Sequence, residues 1–83
     1  GMRKFPQELV NVRCSQVPDL QSESILRAVH SAESRLGESG RVLLRPSGTE
    51  PVVRVMVEGE ERRQVKQLAQ EIADAVHRAA PMD

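Results

Sequence analysis

The 83-residue chain carries twelve basic and twelve acidic side chains, so no net charge draws it to nucleic acid or to a membrane surface. Phe5 is the only aromatic residue, which excludes base-stacking platforms, and the lone Cys14 excludes an internal disulfide and a cysteine zinc site. A chain of this size makes one domain and buries only about 60% of the surface its unfolded form exposes, so a deep enclosed active site is not expected.

Residues 9–14 alternate, with Val10, Val12 and Cys14 on one face and Leu9, Asn11 and Arg13 on the other, the pattern of a half-buried strand. Val17-Pro18-Asp19 reads as a loop. Ser22 is placed to cap a helix, with Glu23 in its first turn where the dipole favours an anion. Ile25, Val29, Ala32 and Leu36 then recur at helical spacing, leaving His30 off the stripe, and Gly37 stands where helices stop. Residues 38–40 form a turn, and residues 41–45 make a second strand with Val42 and Leu44 facing one way.

A third strand spans residues 52–58, its core face formed by Val53, Val55 and Val57, so that Arg54 and Met56 point the opposite way. From Glu60 onward Val65, Leu68, Ala69, Ile72, Ala73 and Val76 mark an amphipathic helix that ends before Pro81. The charged run over residues 58–63 reads as its solvated start. The predicted architecture is α+β, in the order β-α-β-β-α: a two-layer domain over residues 1–83. Its small, mostly antiparallel sheet is covered on one face by two helices.

Between the second and third strands lies Arg45-Pro46-Ser47-Gly48-Thr49-Glu50-Pro51. Ser47-x-x-Glu50 matches a capping box, but the β-branched, alternating run after Pro51 is a strand and not a helix. A plain hairpin loop accounts for Pro46 and Gly48 as turn formers. It leaves Arg45, Thr49 and Arg54 unexplained as a set. A phosphate-gripping loop accounts for all of them. The Arg45 guanidinium can fork two hydrogen bonds onto phosphate oxygens, Ser47 and Thr49 offer hydroxyls, and Gly48 lets backbone amides approach an anion. Arg54, on the outward face of the returning strand, can reach the same place.

The run from Arg41 to Glu58, with that heptapeptide at its centre, resembles the C-terminal domain signature of the α-D-phosphohexomutases, and within them the bacterial phosphoglucosamine mutases. Phe5-Pro6-Gln7 and the Val10-Asn11-Val12 strand resemble the start of the same domain. The similarity covers nearly the whole chain, weakening over residues 15–39. It implies a TATA-binding-protein-like fold and a role in gripping the phosphate of a phosphosugar that is not reacting. It assigns phosphate contacts to Arg45, Ser47, Gly48, Thr49 and Arg54, with Pro46 shaping the loop. Glu50 belongs to the motif but is expected to be structural, since a carboxylate repels a phosphate.

The implied parent enzyme is cytoplasmic and interconverts glucosamine 6-phosphate and glucosamine 1-phosphate on the route to UDP-N-acetylglucosamine and the cell wall. Its phosphorylated serine, its Mg²⁺ and its sugar-reading loop are implied to belong to three preceding domains, which are this domain's expected partners. No catalytic residue, metal site or cofactor is therefore expected here, because Asp19, Asp74 and Asp83 are scattered. Gly1 before Met2 reads as a tag scar or as the cut end of a longer polypeptide, and the second is expected. Two alternatives stay open: the same domain of a phosphoglucomutase or phosphomannomutase, and a stand-alone protein-interaction module.

Overall fold

A computed structural model describes residues 5–80, in the order β1 (Gln7–Arg13), α1 (Glu23–Leu36), β2 (Arg41–Pro46), β3 (Val52–Glu58) and α2 (Arg62–Ala79). The strands form where β-branched residues alternate with polar ones, and the helices form where aliphatic residues return at every third or fourth position. The sheet order is β1-β3-β2, with both pairings antiparallel. β3, with three valines on one face, is thus the central strand, the place where a strand is most shielded from water.

Val53, Val55 and Val57 are fully buried, joined by Val12 and Cys14 from β1. Over them lie Ile25, Ala32 and Leu36 of α1 and Val65, Leu68, Ala69, Ile72, Ala73 and Val76 of α2. Among the described residues this core holds no buried charged or polar side chain that needs a partner, apart from one hydroxyl considered below. Burial of its aliphatic side chains, each contributing about 1.5–3 kcal/mol when fully covered, holds the two layers together. The α+β expectation is met.

The helix starts differ from their expected form. Ser22 occupies the N-cap position of α1 with extended backbone, φ −64° and ψ 152°, yet its side chain makes no capping bond. Its hydroxyl is buried without a partner. The turn ahead of the helix is closed instead by Asp19, whose carboxylate accepts from the Gln21 amide at 2.9 Å and whose carbonyl accepts from the Ser22 amide at 3.0 Å. α2 begins after Glu61 without a side-chain cap either. At the other end of α1, Gly37 takes φ 76° and donates its amide to the Glu33 carbonyl at 3.0 Å, as the sequence leads one to expect.

Both helices lie on one side of the sheet, so the other side stays open. Its outward rows follow from the register. Gln7, Glu58 and Arg41 form one row, Leu9, Met56 and Leu43 the next, and Asn11, Arg54 and Arg45 a third. The β2–β3 hairpin loop projects beyond that third row, next to the end of β1, where the Cys14 amide donates to the Pro51 carbonyl at 2.8 Å. Among the described residues no helix is long and apolar enough to cross a membrane.

Candidate functional site

Arg45 and Arg54 are direct cross-strand partners at the end of the β2–β3 hairpin, and both are exposed. Two like charges opposite each other on one sheet face are unfavourable in water without a counter-charge. Among the described residues the ion pairs join Arg13 to Glu50, Arg27 to Glu23, Arg35 to Glu71 and Arg41 to Glu58. Neither Arg45 nor Arg54 takes part in one. At the opposite end of the same face, Glu58 compensates Arg41 at 3.3 Å and accepts a hydrogen bond from Gln7 at 2.7 Å. The loop end of the face is therefore the one left cationic.

The loop's backbone is largely committed to holding its own shape. The Ser47 amide donates to the Val52 carbonyl at 2.8 Å, and the Val52 amide donates to the Glu50 carbonyl at 2.7 Å. The Thr49 amide leans on the Ser47 hydroxyl at 3.4 Å, a long and weak contact. Of the amides expected to meet an anion, that of Ser47 is thus withdrawn into the hairpin. The Gly48 amide, the Ser47 and Thr49 hydroxyls and the two guanidinium groups remain as donors.

Gly48 is informative. A Cβ placed there would meet nothing within 4 Å, and its φ is not positive. Neither packing nor backbone strain in this chain asks for glycine at that position. The position is open to solvent.

Two shallow depressions flank Ser47 and Arg54. One, of about 280 Å³, is lined by Arg45, Pro46, Ser47, Gly48 and Arg54. The other, of about 290 Å³, is lined by Asn11, Arg13, Ser47, Thr49, Glu50, Val52 and Arg54. The sequence-predicted residues are therefore divided: Arg45, Pro46, Ser47, Gly48 and Arg54 share one depression, whereas Thr49 faces the second. Glu50 stands at the rim, 3.4 Å from Arg13, in an exposed pair that ties the loop to the end of β1. Asn11 and Arg13 line the second depression because the strand order brings β1 beside this loop. Their outward position in the strand alternation was the signal available in the sequence.

A larger depression of about 380 Å³ between the helices is lined by Arg27, Arg78, Glu71 and Asp74 among others, so its charges compensate and no anion is invited. His30 is exposed on α1 and His77 on α2, as solvated helix residues are. Among the described residues no group of three or more histidine, cysteine or acidic side chains could hold a metal ion. Asp83 lies outside the described residues.

Residues 9–75 match the family described as phosphoglucomutase/phosphomannomutase, C-terminal domain. The phosphoglucosamine mutase of Cellvibrio japonicus is 61% identical over 80 residues, and that of Methylococcus capsulatus is 56% identical over 80 residues. In both cases the alignment covers 95% of this chain but 18% of the relative, so the chain spans less than a fifth of their length. Among solved structures, an Aspergillus fumigatus N-acetylphosphoglucosamine mutase in complex with GlcNAc-6P and magnesium aligns with a TM-score of 0.78 at 29% identity. That alignment covers 93% of this chain and 16% of the other. A second structure of the Aspergillus fumigatus enzyme aligns with a TM-score of 0.80 at 28% identity, covering 94% of this chain and 16% of the other.

Proposed function

The chain belongs to the phosphoglucomutase/phosphomannomutase C-terminal-domain family, and on that premise we propose that it is the substrate-phosphate-binding domain of a phosphoglucosamine mutase. The observation that carries the reading is the in-register pair Arg45–Arg54, uncompensated among the described residues and set beside Gly48, which has open space where a side chain would be. Two guanidinium groups, the Ser47 hydroxyl and the Gly48 amide line one depression there, a volume suited to a tetrahedral dianion.

The sugar specificity rests on likeness: the relatives named above are phosphoglucosamine mutases at 61% and 56% identity. In the whole enzyme the reaction would interconvert glucosamine 6-phosphate and glucosamine 1-phosphate, supplying precursors of the cell wall in the cytoplasm. Phosphoserine and Mg²⁺ chemistry is assigned to the rest of that polypeptide. The residues here do not fit the metal, since no ligand cluster exists among the described ones. The domain's part is to hold the phosphate that does not react. Its open face requires the other domains to close over the substrate.

The test is phosphate affinity across Arg45 variants, read from NMR titrations of the 83-residue chain. Binding should be weak and saturable, because each charge-assisted bond contributes about 1.5–3 kcal/mol and the site has no other walls. Arg45→Ala should abolish it, and Arg45→Lys should restore it in part, since an ammonium cannot make the bidentate contact. Unchanged affinity in Arg45→Ala refutes the proposal.

A further inference from the structure

The second depression is chemically unlike the first, although Ser47 and Arg54 line both. Around Arg45 and Arg54 every charged group is a donor. On the far side of Arg54 the lining acquires acceptors as well: the Asn11 carboxamide, the Thr49 hydroxyl and the Glu50 carboxylate. Asn11 is the direct β1 partner of Arg54, so it stands in the same cross-strand row as the two arginines. Its exposed side chain makes no hydrogen bond among the described residues and is available to a ligand.

Glu50 is prepared in a different way. One carboxylate oxygen, Oε2, lies 3.4 Å from Arg13 in an exposed pair, while Oε1 has no partner among the described residues. A carboxylate in the lining disfavours a second phosphate there. Beside the guanidinium groups of Arg13 and Arg54, the carboxamide, the hydroxyls and the carboxylate make a mixed set of donors and acceptors, the chemistry that receives hydroxyl groups, each of which donates one hydrogen bond and accepts others.

We propose that the depression bounded by Asn11, Thr49 and Glu50 is a hydroxyl-binding subsite. It takes the polyol body of a ligand whose phosphate sits on Arg45 and Arg54. This rests on the phosphate-binding reading above and deepens it, because it makes the domain a reader of the carbon skeleton as well as of the anion. Arg54 lies at the junction, touching both parts of one ligand.

Two phosphate monoesters of equal charge, methyl phosphate and glucose 6-phosphate, separate the possibilities when titrated into the 83-residue chain and its Asn11→Ala variant. The unaltered chain should bind the sugar phosphate about three- to tenfold more tightly, the range of one or two neutral hydrogen bonds. The Asn11 side-chain amide resonances should shift for the sugar phosphate alone. Asn11→Ala should erase the preference and leave methyl phosphate binding unchanged; Asn11 is exposed, so the change removes no core contact.

Equal affinities for the two esters in the unaltered chain overturn the subsite, because no hydroxyl is then read. An equal loss for both in Asn11→Ala overturns it too, because Asn11 then serves the anion. Failure of the underlying phosphate reading looks different: neither ester perturbs residues 45–54, and this inference falls with it.

Discussion

Arg54 carries two opposed roles that one substitution can separate. Without a ligand it faces Arg45 across the β2–β3 ladder, a like-charge contact that costs about 0.2–1 kcal/mol. In the proposed phosphate complex the same two arginines would grip the anion from both sides. Arg54→Gln should therefore stabilise the ligand-free chain by an amount within that range, seen as a small rise in its unfolding midpoint. It should also remove most of the stabilisation that millimolar phosphate gives the unaltered chain. Thermal unfolding with and without phosphate reads both effects. A lower ligand-free midpoint would mean that Arg54 is held by contacts other than the proposed ones. The grouping of Arg45, Ser47, Gly48 and Arg54 around one depression was legible in the sequence, because the β2–β3 hairpin joins them. Asn11 and Arg13 were not, since a strand distant in sequence reaches the loop only through the order β1-β3-β2.

The helices show where local pattern and tertiary packing part company. Ser22 is the residue type expected at a helix cap, and it occupies that position, but its hydroxyl is buried and unpaired. A working serine cap lost to alanine costs about 1 kcal/mol. Here Ser22→Ala should change stability by less than about 0.5 kcal/mol, because an unsatisfied buried hydroxyl is itself unfavourable. Urea unfolding midpoints measure this directly, and a loss near the usual value would show that the hydroxyl does cap the helix in solution.

The turn before β2 is the opposite case, since its glycine is needed. A Cβ on Gly40 would lie 2.4 Å from the Leu36 Cβ and 2.9 Å from the Glu58 carbonyl oxygen. Backbone on one side and the root of a buried leucine on the other leave nothing able to yield. Gly40→Ala should lower stability by about 1–3 kcal/mol in the same urea experiment, the cost typical of overpacking. The element types, the faces of all three strands and the stop at Gly37 were legible from periodicity. The use of Asp19 rather than Ser22 to close the α1 turn was not, because which side chain turns inward depends on the core beneath it.

As a whole molecule the domain packs on one side of its sheet and leaves the other side open. Its core fills one face of the sheet, so cohesion does not depend on the open face, and the chain should unfold as a single cooperative unit. The open face carries the arginine row and, next to it, the apolar row of Leu9, Met56 and Leu43, with Leu9 70% exposed. Since the matched segment is 18% of the length of the Cellvibrio japonicus relative, the chain alone should show no mutase turnover with glucosamine phosphates, with or without Mg²⁺. A coupled assay detecting reproducible turnover by the purified chain would move catalysis into this domain. The class of the fold could be read from the order of elements. The strand order could not, because a hairpin fixes only the pairing of β2 with β3 and leaves β1 free to join either edge.

The most direct measurement is a map of backbone amide shifts as inorganic phosphate is titrated into the chain. Binding at the β2–β3 loop requires the largest shifts to fall within residues 45–54, led by the Gly48 amide, and to vanish in Arg45→Ala. Largest shifts elsewhere on the domain, or shifts that persist unchanged in that variant, would contradict it.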